Sequence, residues 1–94
     1  MAYLIVHHTV EDYDQWKPVF DGHASARKEH GSKGAQVLRS VQNPNEIVSV
    51  FEWDSIENAQ AFASSPGLRE AMQNAGVIGR PEVIFLEETD RQPA

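Results

Sequence analysis

Three of the strand-like segments in this chain are apolar on both of the faces a β-strand presents. In Ala2–His8, Tyr3, Ile5 and His7 alternate with Leu4, Val6 and His8; in Glu46–Trp53, Ile47, Phe51 and Trp53 alternate with Val48 and Val50. Side chains of a strand point alternately to its two faces, so a strand of this kind must be covered on both. Ala35–Val41 (AQVLRSV) reads as a second strand, closed by the turn Gln42-Asn43-Pro44-Asn45, and Glu82–Leu86 as a last strand opened by Pro81. With 94 residues the chain has room for one core only, so residues 1–94 are expected to form a single domain with a loose tail from about 88 to 94.

Between the strands lie two amphipathic stretches. The first, Glu11–His30, places Tyr13, Trp16, Phe20, His23, Ala24 and Arg27 three or four residues apart, which is one face of a helix. Asp12 with Gln15 suggests its N-terminal capping box, and Pro18 predicts an irregular start or a bend near Asp14. The second follows Asp54 and Glu57, with Ile56, Ala59, Phe62 and Ala63 inward. Ser65-Pro66 then reads as a fresh cap for a short helix carrying Leu68, Ala71, Met72 and Ala75, stopped by Gly76. The order is β-α-β-β-α-β, an α+β fold of the ferredoxin-like split type with a four-stranded antiparallel sheet. Its helices cover one sheet face. The other would expose more apolar surface than monomers tolerate, so a second copy is expected to pack sheet against sheet as a homodimeric α+β barrel.

The net charge is -6, and the eight basic residues are scattered. Neither nucleic acid nor an anionic membrane surface is therefore an expected partner. No apolar run approaches the roughly 20 residues that span a bilayer, and there is no cysteine, so a cytoplasmic protein without disulfides is expected. No metal site is expected either. His7 and His8 are adjacent on a strand and point to opposite faces, while His23 and His30 are two helical turns, roughly 10 Å, apart.

The chemistry centres on the first helix. Running antiparallel to the first strand, it should carry His23 over the end of the sheet formed by Tyr3, Glu52 and Trp53. If Glu52 faces the helices, a His23–Glu52 pair would orient the imidazole as a general base; His8 falls at the other end, near Glu46 and Glu82. Arg27 suits a substrate carboxylate or phenolate, or it can equally lie along the helix with its head in water. Trp16, Phe20, Trp53 and Phe62 can line a pocket for a flat ligand, and they can equally be an ordinary core. Arg39, among apolar neighbours, is expected to pair with an acid across the sheet or the dimer seam.

VEDYDQWKPVF after the first strand and FEWDSIENAQAFASSPGLREAM across the third strand and second helix resemble the dimeric α+β barrel superfamily, in particular its antibiotic-biosynthesis-monooxygenase-like branch. That resemblance implies a cofactor-independent monooxygenase or polyketide cyclase acting on a small flat phenolic or enolic substrate. His23 would be the base and Tyr13 or Arg27 the oxyanion contact; Trp16, Phe20, Glu52, Trp53 and Phe62 would bind substrate. In the haem-degrading branch a Trp and a ligating His occupy positions that look like Phe62 and Met72 here. Without that histidine, haem chemistry loses its iron ligand, and no cofactor is expected. The alternative is a non-catalytic dimeric binding or stress-associated module whose groove is filled by side chains.

Overall fold

A computed structural model describes residues 2–94. It orders them as β1 (Ala2–Val10), α1 (Tyr13–Gly22), α2 (Ala24–His30), β2 (Ser32–Arg39), β3 (Glu46–Trp53), α3 (Ile56–Ala63), α4 (Pro66–Asn74) and β4 (Val77–Glu87). The four strands form one antiparallel sheet in the order β2-β3-β1-β4. This is the ferredoxin-like α+β arrangement, with the first expected helix divided in two and the second stretch forming the two helices that the cap at Ser65-Pro66 predicts.

The division falls at His23. Asp12 caps α1 by accepting from the Asp14 backbone N–H (3.0 Å), and Pro18 lies within the helix. His23 leaves helical geometry, and the chain restarts as α2, which ends at Gly31 with φ 114°. Glycine is needed there twice over: few other residues adopt that φ, and a Cβ would come within 2.5 Å of the Asp54 carboxylate. Ser55, rather than Asp54, caps α3 through the Asn58 N–H. Ser65 caps α4 with Pro66 at its first position, as the sequence predicts.

The sheet edges differ from expectation. β2 begins three residues earlier than the apolar pattern suggests and stops before Val41, whose side chain is fully exposed. β4 starts at Val77, and Pro81 sits inside it. The strand tolerates proline because it is an edge strand, and its register against β1 shifts between His7 and Thr9. Residues 88–94 carry no regular structure, although Arg91 donates to the Tyr3 hydroxyl (2.9 Å) and pairs with Glu88.

On β1 the helix side is Ala2, Leu4, Val6, His8 and Val10; on β3 it is Ile47, Ser49, Phe51 and Trp53. The opposite face carries Tyr3, Ile5, His7, Val48, Val50 and Glu52, joined through strand pairing by Leu38, Ile84 and Leu86. The last three are 46%, 44% and 42% exposed. The sheet is thus apolar on both sides, and only one side is covered by helices.

Beneath the helices the core is in two parts. Ala2, Leu4, Val6, Phe51, Trp53, Ala59 and Phe62 form one buried cluster, and Val10, Trp16, Ile47 and Ala75 the other. Phe20 packs against both. Two polar residues, His8 and Ser49, lie on the sheet where the clusters part, His8 opposite Ile47 and Ser49 opposite Val6.

Candidate functional site: a pocket between helices and sheet

A cavity lies where the core divides. Its floor is Val6, His8, Ser49 and Phe51 of β1 and β3; one wall is Trp16, Val19, Phe20, His23 and Arg27; the other is Phe62 with Leu68, Ala71, Met72 and Ala75. Small side chains at Ser49, Ala71 and Ala75 leave the gap that Phe20 and Phe62 do not fill. The space open to the centre of a water-sized sphere is about 50 Å³, room for a few waters. Val6, Leu68 and Met72 also border an outer groove of about 370 Å³ by the same measure, between α4 and β4. No residue of α4 is fully buried, so its Leu68 and Met72 side chains form a yielding partition between the two spaces.

Rings run along one wall in sequence: His8 lies 5.7 Å from Trp16, and Trp16 lies 4.9 Å from Phe20, centroid to centroid. The Arg27 guanidinium sits 3.9 Å above Phe20 and 5.8 Å from Phe51. His8 and Arg27 therefore mark opposite ends of the aromatic wall. Arg27 is 8% exposed, and its Nη1 donates to the Phe20 carbonyl (2.8 Å). Among the described residues no carboxylate pairs with it, although Asp21 is near enough to favour its charge. Burial depresses its pKa. A cation held in an apolar cleft without a counter-ion attracts an anion, or a group becoming one.

His23, half-buried at the break between α1 and α2, has its ring 5.8 Å from Phe62. Burial, then the charges of Arg27 and His30, lower its pKa, so its imidazole is neutral at neutral pH. His30 flanks the same Phe62 ring at 5.5 Å but does not line the cavity.

Of the residues expected at the site, His23, Arg27, Trp16, Phe20 and Phe62 come together around the cavity, and Met72 joins them. Three do not. Glu52 lies on the face away from the helices, because Phe51 and Trp53 point inward and a strand alternates. The conditional His23–Glu52 pair is therefore not formed. Trp53 is completely buried in the core, 5.1 Å from Phe62, and contributes no surface to the cavity. Tyr13 stacks on Trp16 and lies under the Arg39 guanidinium (4.5 Å), outside the lining; among the described residues of this chain no acid across the sheet pairs with Arg39.

The strand histidines also exchange roles relative to expectation. His7, on the open face, makes the contacts with Glu46 (2.8 Å) and Glu82 (3.6 Å), and those carboxylates raise its pKa. His8 faces the cavity. It is 7% exposed, neither ring nitrogen has a hydrogen-bond partner among the described residues, and burial lowers its pKa to about 4. Ser49 Oγ, 1% exposed, is likewise unpartnered. Both went unrecognised as site residues in the sequence. The largest side chains of β3, Phe51 and Trp53, reveal which face is inward, and the pairing of Ala2 with Trp53 carries that choice to His8. Among the described residues no three His, Asp or Glu side chains come together to hold a metal.

The domain is thus ferredoxin-like, with a pocket between helices and sheet and a buried guanidinium in that pocket. Residues 8–74 match the antibiotic biosynthesis monooxygenase family, and the chain belongs to it. No curated protein sequence matches the chain. Among solved structures it is similar to SnoaB of Streptomyces nogalater, a cofactor-independent oxygenase, with TM-score 0.80, 16% identity, and coverage of 99% of this chain and 97% of that one. It is also similar to a further antibiotic biosynthesis monooxygenase (0.73, 12%, 96% and 100%) and to Rv0793 of Mycobacterium tuberculosis (0.69, 12%, 97% and 98%). At these identities the likeness is one of fold. Among the described residues no helix is long and apolar enough to cross a membrane.

Proposed function

We propose that the chain is a cofactor-independent monooxygenase acting on a flat, enolisable small molecule in the cavity under α1 and α2. The observation that carries this reading is Arg27, a buried guanidinium without a carboxylate partner among the described residues that faces an aromatic-walled space. A phenol or enol bound there would place its oxygen toward Arg27, and its conjugate base would be favoured by the cation. His23, neutral at neutral pH, would take the proton. The enolate carbon then bonds to dioxygen, and loss of water from the resulting hydroperoxide leaves a carbonyl, so that CH₂ and O₂ become C=O and H₂O. The pocket supplies orientation and excludes bulk water. Entry of a ring system needs the Leu68 and Met72 side chains to give way toward the outer groove.

Anthrone, flat and enolisable, tests this. The protein is expected to consume one dioxygen per anthraquinone formed, His23→Gln to slow turnover by about 100-fold or more, and Arg27→Met to do likewise. Anthraquinone formation at the same rate in both variants would remove their roles; oxygen-independent loss of an open-chain polyketide analogue would point to cyclisation instead. The narrowness of the cavity favours a second reading, a non-catalytic binding module. Binding of anthrone without oxygen uptake would establish it.

The protein is further proposed to work as a homodimer, the second copy covering the open sheet face of Ile5, Val48, Val50, Ile84 and Leu86. Val50→Asp, at the centre of that face between Ile5 and Gln36, is expected to turn a sedimenting dimer into a monomer. A wild-type protein that sediments as a folded monomer at micromolar concentration would end this proposal.

A further inference from the structure

His8 and Ser49 are a second polar feature of the cavity. Each is more than nine-tenths buried, each lines the space, and none of His8 Nδ1, His8 Nε2 and Ser49 Oγ has a partner among the described residues. Native proteins satisfy the great majority of buried polar side-chain atoms, and those left over call for an explanation. Nothing in the fold requires polarity here. Both residues stand in rows that are otherwise Leu4, Val6, Val10, Ile47, Phe51 and Trp53, where valine or leucine would join the two halves of the core.

We infer that His8 and Ser49 form a second recognition point, which binds a neutral hydroxyl or carbonyl oxygen on the edge of the ligand farthest from Arg27. The inference rests on the proposed binding of a flat ligand in this cavity. Its chemistry follows from the groups present. A neutral imidazole offers one donor and one acceptor, and a serine hydroxyl offers both, so together they complement an uncharged oxygen substituent. An anion belongs at the other end, where Arg27 lies over Phe20 and near Phe51. On β3 the Phe51 and Ser49 rows are two residues apart, roughly 6.6 Å. The ligand class is therefore a fused-ring compound oxygenated on opposite edges: one oxygen ionised or ionising at Arg27, the other neutral at His8 and Ser49.

Calorimetric titration with two probes tests this: a naphthoate, and its hydroxynaphthoate analogue bearing the hydroxyl on the far ring. The wild-type protein is expected to bind the hydroxylated probe about tenfold more tightly, as one well-made hydrogen bond would give. His8→Leu and Ser49→Ala should each reduce that preference, and the double variant should abolish it. His8→Asn should restore part of it. Arg27→Met should weaken both probes by one common factor. Ser49→Ala removes a single oxygen, so it remains a usable test if His8→Leu fails to fold. An equal affinity of wild-type protein for the two probes, or a preference that survives in the double variant, would overturn the inference and leave resident water as the partner of these atoms. Failure of both probes to bind would overturn the pocket reading and this inference with it, whereas equal binding overturns this inference alone.

Discussion

Truncation of Trp53 to alanine is expected to destabilise the protein by about 3–5 kcal/mol, the range for an aromatic removed from a packed core. A chain of this length has a total stability of roughly 5–14 kcal/mol, so the variant loses from about a fifth of it to nearly all of it. The argument is geometric. Trp53 is fully buried at the end of β3, opposite Ala2 on one side and Ser32 on the other, and its ring meets Phe62 at 5.1 Å. Phe62 is also the ring on which His23 and His30 rest. Removing the indole therefore undermines the wall of the cavity without touching the cavity itself. Urea unfolding of the variant gives the number, and a loss below about 1 kcal/mol would show that the ring is not a core element. Trp53→Phe separates packing from polarity. It keeps a ring while discarding the unpartnered indole N–H, and its cost should be well under half that of the alanine variant.

Trp53 also shows what kind of information the sequence holds. Its position at the end of an alternating strand is legible, and β3 runs from Glu46 to Trp53 as the pattern predicts. Whether its ring faces a ligand or a core is not, because both environments are apolar. The same ambiguity governs the strand histidines. A strand that is apolar on both faces does not announce which face meets the helices, so His7 and His8 are interchangeable until Phe51 and Trp53 decide the matter. Glu52 falls outside for the same reason. The break at His23 escapes helical periodicity, since Trp16, Phe20, His23 and Arg27 keep their spacing across it. β4 is longer than its apolar run because Gly79 and Pro81, which usually end strands, are accommodated at a sheet edge. The place of Arg27 on the inward stripe of the first helical stretch, by contrast, is legible from its helical spacing. What the sequence does not show is that no acid comes to meet it.

His8→Leu is expected to flatten the acid limb of the stability curve, and the difference from wild type should reach about 3 kcal/mol at pH 4. Burial lowers the His8 pKa in the folded protein to about 4, against an ordinary value of 6.5 in the unfolded chain. Above 6.5 the ring is neutral in both states and contributes no pH dependence. Between 6.5 and 4 the unfolded chain takes up a proton that the folded protein refuses, so stability falls as the pH falls. The gap between the two pKa values, at about 1.4 kcal/mol per pH unit, sets the size of the loss. His23 adds a loss of the same sign, its pKa being lowered too. His7 works in the opposite sense: Glu46 and Glu82 raise its pKa, so its contribution is present below 6.5 and disappears as the pH rises through the raised value. His7 stands at the solvent-exposed sheet face, where screening keeps that contribution small. Both effects, and those of the carboxylates, are common to wild type and His8→Leu, so subtracting the two unfolding curves isolates His8. Curves that run parallel from pH 7 to 4 would mean that the ring is hydrated or paired in solution. Curves that diverge would show that the protein keeps a dry, neutral imidazole at the floor of its pocket. Such a ring holds one donor and one acceptor in place throughout the physiological range, ready for a ligand oxygen.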